Sequence, residues 1–171
     1  MIKRVEEYLN IIHYCIYMID IKRHKLSNNL NPFMLLGKIP VIKKKFEEQG
    51  TTHLDVVNKV WGDKHYGFSM LISGGGIVAV LTFLIWGLTS TSLGLLEIYF
   101  LVTPFHVIAY ALVSSLICHL LVFRKDKYIK YFKKLDNEPR SKKWKYALIS
   151  FLFIFCSVTL WLYSFRFFAN S

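Results

Sequence analysis

Three long apolar runs constrain this chain more than any other feature. Residues 68–88 and 98–123 form runs of 21 and 26 residues without a charged side chain, and residues 146–165 form a third of 20. A helix of about 20 predominantly apolar residues crosses the roughly 30 Å hydrocarbon layer of a bilayer. The chain has only 171 residues, 54% of them apolar, too many for a small soluble domain to cover with polar groups. The sequence therefore predicts an all-α integral membrane protein with three transmembrane helices.

The basic residues fall on alternate sides of these runs. Of 22 Lys and Arg residues, 11 lie in residues 1–67, ten in 124–145 and one beyond, while the loop 89–97 has none. Cytoplasmic loops of membrane proteins carry such an excess of cations. The pattern predicts that residues 1–67 and 124–145 are cytosolic and that 89–97 and the tail 166–171 are outside, an N-in, C-out topology. Because topology accounts for the charge of +11, a nucleic-acid partner is not predicted.

This distribution predicts a multi-pass protein of the cell membrane. The expected location is the inner or plasma membrane of a cell. Frequent Lys, Ile, Asn and Phe are typical of AT-rich bacterial genomes, which hints at a bacterial source. Residues 1–67 are expected to form a cytosolic or interfacial amphipathic helical region. Within it, Thr52 and Asp55 have the spacing of a capping box that opens a helix.

Residues 2–19 carry an apolar repeat with spacings of 3, 4, 3, 4 and 3, which is typical of a helix seam. Two interpretations stay open for this seam: a helix that lies in the membrane interface or packs on the bundle, and a self-association surface. The residues of the seam are Ile2, Val5, Leu9, Ile12, Ile16 and Ile19.

The segment 124–145 is predicted to be a basic amphipathic extension of the second span. Its lysines surround an apolar side made of Tyr128, Tyr131, Phe132 and Leu135. Such a segment suits contact with anionic lipid headgroups. A solvated connector is the alternative.

Small and polar residues recur at helical spacing inside the first and third spans. Because lipid gives helices no hydrophobic reason to associate, such residues usually mark helix contacts. They are Ser69, Ser73 and Gly76 in the first span, and Ser150, Ser157 and Ser164 in the third. The run 73–76 resembles a phosphate-binding loop, but it has neither a lysine nor a preceding strand. Close helix packing or a flexible point is predicted there instead.

The second span carries a polar stripe. Thr103, His106, Tyr110, Ser114 and Cys118 fall within an arc of about 120° at 100° per residue. Lipid cannot satisfy such a stripe, so it must face protein or water and is either a packing face or a pore lining. The titratable His106 is either hydrogen-bonded to a neighbouring helix or part of a proton path. Pro104 is expected to kink the helix near its outer end.

No catalytic residues, metal site or cofactor are predicted. None of the three spans contains Asp or Glu, and neither the cysteines nor the histidines have ligand spacing. The favoured function is a non-enzymatic, membrane-embedded partner or accessory subunit of the anchoring or immunity type, in an oligomer or hetero-complex. Its predicted partners are anionic headgroups and either itself or another membrane or cytosolic protein. The alternative is a homo-oligomeric, pore-forming or membrane-perturbing effector with the second-span stripe lining the opening.

Overall fold

The computed structural model describes residues 2–27, 37, 39–98 and 103–167, and helices account for 88% of them, with no strand in these ranges. Residues 99–102 of the predicted second span and 168–171 of the predicted tail lie outside the described residues. The described α-helices are α1 (Ile2–Ser27), α2 (Pro40–Glu48), α3 (His53–Gly62), α4 (Phe68–Leu95), α5 (Pro104–Cys118), α6 (Lys127–Asp136) and α7 (Arg140–Ser164).

Three helical segments are long and apolar enough to cross a membrane. They begin at Phe68, Pro104 and Arg140, so the prediction of an all-helical chain with three such helices is confirmed. The N-in, C-out orientation stays a prediction. The first of them, α4, has 28 residues and ends at Leu95. It extends past residue 88 because neither a charge nor a proline interrupts residues 89–95.

The second span begins and ends differently from its prediction. Thr103 is the N-cap of α5 and Pro104 occupies its first turn, where the missing N–H of proline costs no helical hydrogen bond. The proline therefore opens the described helix, and the predicted kink is wrong. At the other end α5 passes into a π-helical turn, His119–Phe123, and a 3-10 turn, Arg124–Asp126.

The predicted continuous extension of the second span is interrupted at this 3-10 turn. Lys125 and Asp126 have positive φ values of 58° and 51°, a left-handed conformation that breaks a right-handed helix. The chain then resumes as α6, whose direction is set by this break.

The chain divides into two compact units. The larger contains residues 1–15 and 75–171, and the smaller contains residues 16–74. In the smaller unit, Thr52 is the N-cap of α3 and its hydroxyl accepts a hydrogen bond from the Asp55 backbone N–H at 3.1 Å, which confirms the predicted cap.

A buried carboxylate organises the smaller unit. Asp20 is 4% exposed and accepts hydrogen bonds from Trp61 Nε1 at 3.2 Å and from Ser69 Oγ at 2.8 Å. Arg23 pairs with the same carboxylate at 2.5 Å. Tyr17 donates to the Gly62 carbonyl at 2.6 Å. Polar side chains of α1 therefore fasten it to α3 and to the start of α4.

Candidate interaction site

The polar stripe of the second span is partly enclosed by the chain itself. Ser114 and Cys118 are fully buried, and the half-buried Tyr110 stacks on Trp86 with 6.1 Å between ring centroids. His106 Nδ1 lies 2.8 Å from Thr103 Oγ1 and accepts a hydrogen bond from the Thr103 backbone N–H at 3.2 Å. The structure thus brings Thr103 and His106 together as a cap of α5.

The opposite side of α5 is apolar and exposed. Its outward side chains are Phe105, Ile108, Leu112, Val113 and Leu116, between 48% and 75% exposed. An exposed surface of this kind suits contact with lipid tails. The side of α5 that a bilayer could not satisfy is the side that meets the rest of the chain.

The serine repeat of α7 lies inside the larger unit, since Ser150, Ser157 and Ser164 are all buried. Ser157 donates to the Phe153 carbonyl at 2.8 Å and Ser164 to the Trp161 carbonyl at 2.7 Å. The hydroxyls of Ser157 and Ser164 are therefore satisfied by their own helix. Ser157 and Ser164 therefore contribute small size to the close packing of α7, rather than a hydrogen bond to another helix.

The three positions singled out in the first span differ in their surroundings. In the smaller unit Ser69 and Ser73 are fully buried, and Ser73 donates to the Met70 carbonyl at 3.2 Å. Gly76, in the larger unit, is half-buried. A Cβ added at the neighbouring Gly75 would meet nothing within 4 Å, so no close approach requires that glycine.

A glycine that the sequence reasoning missed does make a close contact. A Cβ at Gly87 would lie 2.9 Å from the Trp161 backbone nitrogen and 3.0 Å from the Leu160 carbonyl carbon. Its signal in the sequence was weak, because a single glycine among large apolar residues has no periodicity.

The N-terminal seam is divided in the structure. Leu9 and Ile12 are 4% exposed and Ile16 is half-buried, whereas Ile2, Val5 and Ile19 are exposed. Another face of α1 carries a polar set with spacings of 4, 3, 4, 3 and 4, which the sequence reasoning missed although its period was visible. The set consists of Glu6, Asn10, His13, Tyr17, Asp20 and His24, and all but Glu6 are buried.

In the larger unit, the first half of α1 binds α6 through polar pairs, which we call the α1–α6 clamp. The pairs are Glu6 with Lys127 (2.7 Å) and Tyr131 (3.2 Å), Glu7 with Lys134 (2.9 Å), and Tyr14 with Asp136 (2.8 Å). The hydrogen bond from Lys127 lowers the pKa of Glu6 below its ordinary value. The clamp therefore joins two helices that lie more than 100 residues apart in the sequence.

The clamp reaches the π-helical turn at the end of the second span. Wider turns of this kind take backbone carbonyls out of the regular helical ladder. Asn10 Nδ2 donates to the Leu121 carbonyl at 3.2 Å, and Lys127 Nζ donates to the Leu120 carbonyl at 3.2 Å. Side chains at both ends of the contact thus satisfy carbonyls at this junction.

The apolar side of α6 is covered by α1. His13 is fully buried and its ring lies 5.1 Å from Phe132 and 5.8 Å from Tyr128 between centroids. Burial lowers the pKa of His13 to about 4, so the ring is neutral at neutral pH. Three residues of the predicted apolar side, Tyr128, Phe132 and Leu135, are buried within the chain, and contact of this segment with headgroups stays a prediction.

The cations of this region point outward. Six side chains, which we call the basic surface, are exposed and form no ion pair with an acidic residue in the described part of the chain. They are Arg124, Lys125, Lys130, Lys133, Arg140 and Lys145. Two of them, Lys130 and Lys133, lie on α6. The clamp holds this helix against α1, so the backbone positions of these two lysines are fixed.

Comparison of the chain with protein-family models, curated proteins and solved structures gives no significant match. Among the described residues, no group of three or more His, Cys, Asp or Glu side chains could hold a metal ion. The candidate site is accordingly defined by its own residues: the exposed cations of the basic surface, two of which lie on the helix that the clamp holds.

Proposed function

We propose that this chain is a non-enzymatic membrane-embedded accessory subunit, which anchors or holds a partner through the basic surface. The observation that supports this most is the combination of covered apolar residues and exposed cations on α6. The partner it fits is a protein with an acidic surface, in the membrane or at its cytosolic face.

A protein partner is favoured over the headgroup layer by the packing of α6. An amphipathic helix binds a bilayer by inserting its apolar face while its cations meet anionic headgroups. On α6 the apolar face is occupied by α1, so only the electrostatic part of that binding remains, about 1 kcal/mol per cation near an anionic surface. Charge complementarity with a folded acidic partner uses the same cations at fixed positions.

A pore lined by α5 is the alternative function. Thr103, His106 and Tyr110 are each half-buried, which favours a polar lining at that end of the stripe only. Ser114 and Cys118 are fully buried within the chain, and they could line an opening only after α5 rotates.

Two measurements distinguish these functions. One is the mass of the particle reconstituted in nanodiscs, and the other is dye leakage from liposomes that contain the chain. The accessory-subunit proposal predicts a monomer or a small oligomer and no leakage. A ring-sized oligomer with leakage would refute it and favour the pore.

The basic surface is tested by charge reversal. The double variant Lys130→Glu/Lys133→Glu should lose a partner that co-purifies with the wild-type chain from solubilised native membranes. The matched control is Lys44→Glu/Lys45→Glu, an equal change of charge at exposed positions of α2. Equal loss in both variants would show that net charge alone, and not this surface, attracts the partner.

A further inference from the structure

We call the contact between α4 and α7 the α4–α7 interface. Its outer half contains polar atoms without a hydrogen-bond partner in the described part of the chain. The rings of Phe83 and Trp86 lie 4.6 and 5.8 Å from that of Trp161. Four buried side-chain atoms in this region have no hydrogen-bond partner among the described residues: Trp86 Nε1, Ser90 Oγ, Thr91 Oγ1 and Trp161 Nε1. Trp86 is 9% exposed and Ser90 is 1% exposed.

Most other buried hydroxyls of the spans are satisfied by their own helix. Thr82 and Thr89 on α4 donate to the carbonyls of Val78 and Ile85, four residues earlier, at 2.9 and 2.8 Å. Ser114 does the same on α5 at 2.8 Å. Ser90 and Thr91 do not, so their hydroxyls stay available at the interface.

The four atoms belong to neighbouring positions. Ser90 follows Trp86 by one turn of α4 and shares its face. Thr91 lies between Gly87 and Gly94, which contact the Trp161 backbone and the Phe167 ring respectively. All four groups therefore lie where α4 meets the end of α7.

The chemistry of these groups specifies their ligand. An indole nitrogen donates a hydrogen bond and accepts none, so Trp86 and Trp161 cannot satisfy each other. A buried polar group without a partner costs free energy, and an unpaired buried charge costs much more. Residues 80–95 and 147–164 contain no cation, and the next cation after α7, Arg166, is exposed. The acceptor that fits among these buried groups is therefore uncharged.

We propose that the outer half of the α4–α7 interface binds an uncharged oxygen acceptor, either ordered water or the ester carbonyl of a membrane lipid. Trp86 and Trp161 are its fixed donors, and Ser90 and Thr91 complete the site. The inference rests on the membrane placement of these helices in the proposed function.

Indole N–H resonances of the full chain test the site. The chain is reconstituted in nanodiscs of diester phosphatidylcholine and, separately, of the corresponding diether lipid, which has no ester carbonyl. Trp86 and Trp161 are expected to give downfield, hydrogen-bonded N–H signals, with the exposed Trp144 as the solvated reference. Signals that move upfield only in the diether lipid identify the carbonyl, whereas unchanged signals with exchange peaks to water identify water.

A matched pair of variants assigns the effect to the unsatisfied hydroxyls. Ser90→Ala/Thr91→Val should shift the two indole signals or abolish their cross peaks. Thr82→Val/Thr89→Val, whose hydroxyls already bond their own helix, should leave them in place. Indole signals of the wild-type chain at a position free of hydrogen bonding in both lipids would refute the site. Failure of the chain to enter nanodiscs would instead refute the membrane placement, and with it the site.

Discussion

The α1–α6 clamp and the α4–α7 interface join helices of the same unit by different means. In the clamp, charged and polar side chains pair across the two helices at 2.7 to 3.2 Å. At the α4–α7 interface the contact is made by rings and glycines, and the serine hydroxyls of α7 that are satisfied bond their own helix. Glu7 and Lys134 of the clamp are 45% and 57% exposed, so water can hydrate them when their pair is broken. The contact between α4 and α7 depends instead on the fit of rings and glycines.

The largest loss of stability is expected from a substitution at Gly87, in the contact between α4 and α7. Gly87→Ala should lower the free energy of unfolding by about 2 kcal/mol, because the added carbon meets the α7 backbone and forces the helices apart. Gly75→Ala in the same helix is the control. Since its Cβ meets nothing within 4 Å, it should be neutral or stabilise by up to about 1 kcal/mol. Steric-trapping measurements in bicelles would check both, and equal effects would contradict the close contact.

Acid should weaken the clamp region through His13. Its pKa lies at about 4 in the folded chain, below its ordinary value of 6.5, so its contribution to stability is fully present above pH 6.5. As the pH falls toward 4, the unfolded chain takes up a proton that the folded chain does not, and stability is lost.

The loss of stability between pH 6.5 and pH 5 should be about 1.6 kcal/mol, since the slope approaches its limit of about 1.36 kcal/mol per pH unit only below pH 6.5. His13→Gln should abolish that part of the pH dependence, which chemical denaturation of the two proteins across this range would measure. A variant with the same slope as the wild type would show that His13 is solvated or paired in its charged form.

Asn10 is expected to matter more than its neighbours in the clamp. Asn10→Leu removes the donor to the Leu121 carbonyl in the π-helical turn and should destabilise the chain by about 1.5 kcal/mol, since a half-buried acceptor loses its partner. Tyr14→Phe removes one hydrogen bond to Asp136, an exposed residue that water can solvate, and should cost less than about 1 kcal/mol. Thermal unfolding of both variants would check this order, and the reverse order would contradict the role given to Asn10.

The smallest effect is expected at the exposed end of the clamp. Glu7 and Lys134 are 45% and 57% exposed, so Glu7→Gln should cost less than about 0.5 kcal/mol, and high salt should remove the difference. Glu6→Gln, at the less exposed pair with Lys127, should cost more and retain its effect in salt. Denaturation of both variants at low and high salt would distinguish the two pairs.

The spans could be predicted from the sequence because hydropathy and length suffice to identify them. The contact face of α1 could not, because its apolar seam and its polar set have nearly the same period. A soluble helix would bury the apolar set. The structure buries Asn10 and His13 along with Leu9 and Ile12. A polar residue can be buried only where hydrogen-bonding or aromatic neighbours surround it, and these neighbours come from distant parts of the chain.

The junction after the second span was also beyond sequence reasoning. Hydrophobic periodicity correctly placed Tyr128, Phe132 and Leu135 on one side of a helix, but periodicity does not say what covers that side. Lys125 and Asp126 have a left-handed backbone conformation, but neither is a glycine, the residue that usually indicates such a break in the sequence. The covering helix lies more than 100 residues away in sequence, at a distance that local patterns do not encode.

The most direct test of the account is the accessibility of the polar side of α5 to water. Ser114→Cys is made in a chain whose three native cysteines are replaced by serine, and a membrane-impermeant maleimide is applied from each side of the bilayer. The control is Ser141→Cys, at the exposed start of α7. We expect the cysteine at position 114 to stay unmodified when the cysteine at position 141 has reacted completely. Modification of the two cysteines at comparable rates would show that the stripe faces water, and would contradict the claim that the chain encloses it.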